Sequence, residues 1–267
     1  MEGIKKIGIW LVILVMTFAC FGMEYYAYEL QSTFSKVELT DIEEMVEQVV
    51  LENVTKAEKE DRKVAYLTFD DGPSKVTERI LDVLNVYQVP ATFFVVGGSI
   101  TKEREPIIER IKEEGHVIGI HTYSHDAKKM YTSADAYLED FMATEQRIYE
   151  VTGIHTKLFR FPWGSTNEYL KKIEDKILPY LESNGYSYFD WNVSAEDAVG
   201  HPTSYSILNN VKKDYSRYEK PVLLMHDSAT SSLTAEMLPD IIVMLKEGGY
   251  RFDTLDHMET PYQYPRN

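Results

Sequence analysis

The chain has 267 residues, 44% of them hydrophobic and 12% aromatic, which is enough for one large domain with a sizeable core plus an extension. Its net charge of −15, from 43 acidic against 28 basic residues, leaves no basic stripe and argues against a nucleic-acid partner. The single cysteine, Cys20, excludes an intrachain disulfide and any cysteine-built zinc site.

Residues 1–35 open with Lys5 and Lys6, then an apolar run from Ile7 to Met23, then Tyr25, Tyr26 and Tyr28. The run is at the short end of a bilayer span, the tyrosines suit an interface, and the lysines ahead of it favour a cytoplasmic N-terminus. No clean small-x-small cleavage site follows. We therefore read residues 1–35 as an uncleaved signal anchor, with a cleaved signal peptide as the rival. The expected location is the cell membrane, held by this one N-terminal helix with the rest of the chain outside, or a secreted form if the signal is cleaved.

Residues 36–62 read as a charged helical stalk. Val37, Ile42, Met45, Val46, Val49 and Val50 make one apolar stripe, and residues 37–62 carry nine acidic and three basic residues. From Lys63, β-rich runs alternate with helical patterns. The expected strands are Val64–Phe69, Ala91–Val96, Val117–Ile120, Lys157–Phe161, Tyr186–Trp191, Val222–Met225 and Tyr250–Phe252. The expected helices are Val76–Tyr87, Glu105–Glu114, Ala134–Val151, Tyr169–Ser183, Tyr205–Tyr215 and Ala235–Lys246. Such alternation predicts an α/β fold with a parallel sheet and right-handed crossovers. Seven strands predict a closed or nearly closed barrel. Residues 63–258 form this domain, and 259–267 are a tail.

Four strand ends carry chemistry. Asp70 and Asp71 follow the first strand, where Gly72-Pro73 stops it. Adjacent carboxylates raise each other's pKa unless something such as a metal ion neutralises one. His121 and His125 follow the third strand. Four residues apart, they share one face if the loop turns helically, and both can then reach one metal. Arg160 ends the fourth strand ahead of Pro162, Trp163 and Gly164, placed to pair with a carboxylate and hold it ionised at a low pKa. His226 ends the strand Val222–Met225, placed for acid–base work near neutral pH. Singly, each has a bland reading as a turn, cap, surface or core residue. Jointly they occupy the C-terminal ends of four strands, which in a barrel form one rim. His116 belongs at the opposite rim as a structural residue. His155, His201 and His257 have no partner motif. Asp197 either orients His226 or caps its own loop.

In order, Thr68-Phe69-Asp70-Asp71-Gly72, His121-Thr122-Tyr123-Ser124-His125, Arg160-Phe161-Pro162-Trp163-Gly164, Asp190–Asp197 and Leu224-Met225-His226 resemble the motifs of the polysaccharide deacetylase (NodB-homology) domain of carbohydrate esterase family four. The resemblance spans about Lys63 to Phe252. It implies a deformed (β/α) barrel of about seven strands. It implies a divalent metal, usually zinc with cobalt as a substitute, held by Asp71, His121 and His125. Asp70 would be the general base, Arg160 its orienting partner and His226 the general acid. Asp197 would set the histidine's charge, and Pro162 and Trp163 would face the substrate, with the Trp163 N–H at the oxyanion. The implied reaction removes N-acetyl groups from a cell-wall or extracellular polysaccharide, peptidoglycan N-acetylglucosamine first. The rivals are an O-acetyl carbohydrate esterase and a non-catalytic wall-binding module. Two positions depart from the pattern: Ala198 stands where an aromatic wall residue is common, and Ser194 where another aspartate often stands.

Overall fold

The computed structural model describes residues 46–50 and 63–266. The expected anchor lies outside the described residues, as does the stalk apart from residues 46–50, which are helical. Among the described residues no helix is long and apolar enough to cross a membrane.

The described residues form eight strands: β1 (Val64–Asp70), β2 (Thr92–Val95), β3 (Val117–Ile120), β4 (Leu158–Phe159), β5 (Ser187–Tyr188), β6 (Val193–Ser194), β7 (Val222–His226) and β8 (Arg251–Phe252). The helices between them are α1 (Lys75–Tyr87), α2 (Glu105–Glu113), α3 (Ala127–Met130), α4 (Ala134–Thr152), α5 (Glu174–Ser183), α6 (Ser204–Asp214) and α7 (Ser232–Glu247). Seven strands pair in parallel in the order β5-β4-β3-β2-β1-β7-β6, and β8 pairs with the start of β1. The two edge strands, β5 and β6, follow one another in sequence. The sheet therefore curls until its edges are neighbours without bonding to each other, and the result is a half-barrel rather than a closed one.

Three expectations change here. The run Tyr186–Trp191 is not one strand. Phe189 N–H still bonds Phe159 O on the β4 side, but Asn192 N–H bonds Val222 O on the β7 side, so the chain steps across the open seam between them. The stretch Tyr169–Ser183 breaks at Ile173, with a 3₁₀ turn over Leu170–Lys172 ahead of α5. The short α3 was not expected.

Alternation along each strand divides two cores. Ala65, Leu67 and Phe69 of β1 face the helices in one cluster with Phe93, Val95, Leu223 and Met225. Val64 and Tyr66 face inward with Phe94, Phe189 and Val222. The same parity turns Thr68 and Asp70 inward, so the period-2 pleat alone delivers Asp70 to the mouth of the half-barrel. Gly119 is required inside it: a Cβ there would lie 2.5 Å from a Phe94 ring carbon. Gly119→Ala should lower stability by about 1–3 kcal/mol in chemical denaturation, through overpacking of a rigid core. An unchanged midpoint would mean that Phe94 is free to move.

Candidate active site

Asp70 ends β1 beside His226, its register partner at the end of β7. Arg160 comes from just beyond β4, fully buried, and spends its fork inside the barrel. Its Nη1 donates to Asp70 Oδ1 at 2.9 Å and to Thr68 Oγ1 at 2.7 Å. Nε and Nη2 donate to the carbonyls of Phe189 and Asp190 at 2.9 and 3.2 Å. The guanidinium lies 4.3 Å over the Phe94 ring. Thr68, which opens the first motif but had no role assigned to it, donates in turn to Leu223 O. Burial raises the Asp70 carboxyl above the usual range, and Arg160 only partly offsets it. This corrects the expectation of a low pKa, because a fully desolvated carboxylate loses more in hydration than one shared guanidinium returns.

Asp71, His121 and His125 converge. One ligand atom from each lies within 4.8 Å of the others. Asp71 Oδ1 is 3.5 Å from His121 Nε2 and 3.3 Å from His125 Nε2, and it is buried with no hydrogen-bond partner among the described residues. His121 Nδ1 is 2.9 Å from the Arg160 carbonyl, so Nδ1 carries the proton and Nε2 presents its lone pair to the cluster. Burial lowers the His121 pKa to about 3, which keeps the ring neutral. The loop carrying the histidines is not helical. Thr122 and His125 have left-handed backbone at φ 66 and 47, and Asp140 of α4 accepts from the Tyr123 and Ser124 N–H groups at 2.5 and 3.1 Å. Among the described residues, six non-glycines have positive φ, and Asp71, Thr122, His125 and Trp163 of this rim are four of them. Strain is thus concentrated where the ligands are presented.

His226 Nδ1 is 2.8 Å from Asp197 Oδ1, and its backbone N–H donates to Asp197 Oδ2 at 2.7 Å. Thr234 Oγ1 also donates to Oδ2, at 2.6 Å. Asp197 therefore orients the imidazole. Burial disfavours the charged ring, but Asp197, Asp70 and Asp71 outweigh it and raise its pKa to about 9. The neighbouring Asp227, to which sequence reasoning assigned no role, is buried against Gly72, where a Cβ would lie 2.1 Å from its Oδ2. It accepts from Thr77 Oγ1 at 2.6 Å, and its backbone N–H donates to Asp70 O at 2.9 Å, tying the β1 and β7 loops together. Adjacency to His226 was the available signal for it.

Trp163 stands half exposed on a left-handed turn at φ 65, its ring 4.9 Å from that of His125. Pro162 O accepts from Asn167 Nδ2 at 3.1 Å, which closes this turn. Tyr169 lies 5.9 Å from Trp163 and stacks at 5.8 Å on the buried Tyr131. Ala198 and Val199 are exposed and add no ring. His116 is structural, as expected: its Nδ1 accepts from Ala91 N–H at 3.2 Å, far along the strands from the site. His155 pairs with Glu145 and His257 with Asp253, away from the rim.

The family model for polysaccharide deacetylase matches residues 57–186. A putative polysaccharide deacetylase of Bacillus subtilis is 33% identical over 203 residues, 74% of this chain and 69% of its own length. A peptidoglycan-N-acetylglucosamine deacetylase of Bacillus cereus is 30% identical over 261 residues, 91% of this chain and 90% of its own. Among solved structures, the catalytic domain of the peptidoglycan N-acetylglucosamine deacetylase from Eubacterium rectale superposes with a TM-score of 0.71 at 32% identity, covering 77% of this chain and 94% of that one.

Proposed function

The chain belongs to the polysaccharide deacetylases of carbohydrate esterase family four, and from that premise we propose that this hydrolase removes the acetyl group from N-acetylglucosamine of cell-wall peptidoglycan. The observation that carries the chemistry is one rim holding three convergent ligand atoms, a buried carboxylate with its arginine, and a histidine with its aspartate. The substrate class rests on relatives such as the Bacillus cereus enzyme. Export on the Ile7–Met23 run completes the reading, because that polymer lies outside the membrane.

Asp71, His121 and His125 fit a divalent metal, of which zinc suits the donor set: the unpartnered, buried Asp71 Oδ1 and the lone pair of His121 Nε2 both face the cluster. A metal held there supplies Lewis-acid chemistry for an acetamide carbonyl and its attacking water. Asp70 takes the water's proton, and its raised pKa brings it nearer to neutral pH as a base. Arg160 fixes Oδ1 and leaves Oδ2, 3.8 Å from His121 Nε2, to the reaction. The Trp163 N–H donates to the developing oxyanion. His226, with Nδ1 engaged by Asp197, delivers the Nε2 proton to the departing amine, which cannot leave unprotonated.

Trp163 and Tyr169, 50% and 49% exposed, supply a one-sided aromatic shelf for sugar rings, since nothing at Ala198 faces them with a ring. Tyr169→Ala should raise KM for a chitooligosaccharide roughly 2- to 10-fold, the worth of one ring contact, without changing kcat on phenyl acetate. An unchanged KM would remove the shelf from substrate binding. Mass spectrometry of wall fragments from cells with and without the protein tests the whole reading. De-acetylated glucosamine should disappear without it. Acetate release from acetylated xylan exceeding that from chitooligosaccharide would instead assign an O-acetyl esterase.

A further inference from the structure

We infer that residues 259–266 are a positioning strap for the catalytic rim rather than a loose tail. The open seam between β5 and β6 leaves residues 188–192 at a sheet edge, and an unpaired edge needs partners. The chain's end supplies them. Asp190 N–H donates to Tyr262 O at 2.8 Å, Gln263 Nε2 to Tyr188 O at 3.1 Å, and Tyr264 N–H to Asp190 Oδ2 at 2.8 Å. The Tyr262 side chain packs on the inner core cluster, and Tyr264 sets its ring edge-on to Trp191 at 5.4 Å.

The same short segment serves the site from its other side. Phe189 O and Asp190 O accept from Arg160, and the fully buried Asp190 carboxylate accepts from Ser165 N–H at 2.8 Å and Ser165 Oγ at 2.5 Å. Ser165 lies two residues beyond Trp163. A buried carboxylate needs its donors, and the strap provides one of the three, Tyr264 N–H beside the two from Ser165. Thus a single layer of residues separates the strap from both Arg160 and the Trp163 turn. None of these bonds involves Asp71, His121 or His125.

The inference rests on the roles proposed above for Arg160 and Trp163. The test compares the full chain with a chain ending at Pro261 and with Tyr264→Pro, which removes the N–H accepted by Asp190 together with the half-buried ring packed on Trp191. For each, kcat and KM on a chitooligosaccharide, zinc per chain and the melting temperature are measured, with Arg160→Lys as reference. The strap predicts a kcat about 10- to 100-fold lower at unchanged zinc content and little-changed KM, because displacement of catalytic groups by about an ångström costs this much. It also predicts partial recovery of the shortened chain on adding a synthetic peptide of residues 262–267. Lower melting temperatures with kcat intact, while Arg160→Lys loses activity, would overturn the strap alone. Full kcat in Arg160→Lys would overturn the arginine's role and the strap with it.

Discussion

Chelation is expected to take acetate release to background, and zinc or cobalt to restore it. The three ligand atoms lie within 4.8 Å of one another, and Asp71 Oδ1 has no hydrogen-bond partner among the described residues. A buried carboxylate oxygen without a donor is costly, and a cation in the cluster removes that cost. His121 cannot rescue Asp71 by protonating, since its pKa lies at about 3. Asp71→Asn should therefore weaken metal binding by more than the 10- to 100-fold typical of an outer-shell partner, and activity should follow metal content. Elemental analysis alongside the assay decides the matter: full activity in a metal-free preparation would sink the metal site.

Asp70→Asn and His226→Ala should divide the labour of proton transfer. Asp70→Asn should retain the metal and lose about 10²–10⁴-fold in kcat, the usual share of a general base. His226→Ala should lose as much on an acetamide but far less on phenyl acetate, whose leaving group needs no proton. Equal losses on both substrates would remove His226 from the general-acid role. The pH profile of kcat/KM should be a bell. Its acid limb lies above the ordinary carboxylate range, because burial raises Asp70. Its alkaline limb falls as pH rises through about 9, where His226 loses the proton it must donate. Stability has the same sign for His226. A pKa raised from 6.5 to about 9 gives a contribution fully present below about 6.5 and lost on passing about 9. Asp197→Asn should pull the alkaline limb down, since Asp197 supplies the strongest support for the charged ring.

Much of this architecture is written locally. Val64–Asp70, Val117–Ile120 and Val222–His226 are β-rich runs with a polar residue at or just after the end, and each was placed to within a residue or two. Strand, turn and helix signals act over a few residues, so the elements and the rim they share follow from the chain read in order. The convergence of Asp70, Asp71, His121, His125, Arg160 and His226 on one rim is legible in this way, because each sits beside a strand end.

What the tertiary structure alone decided is of another kind. The aromatic run from Tyr186 to Trp191 has strand propensity throughout, yet pairing with β4 stops at Phe189, because the seam offers Asp190 the Tyr262 carbonyl instead. No local pattern joins residues so far apart in the chain. The four-residue spacing of His121 and His125 suggested a helical turn, and Asp140 together with two left-handed residues imposed a different loop with the same convergence. Asp70 beside Arg160 suggested a low pKa, and burial reversed the direction. Sequence determined which residues reach the rim, through short-range periodicity and turn chemistry. The curl of the sheet determined their depth, their partners and their charge, because desolvation and long-range backbone pairing exist only once the chain has closed on itself.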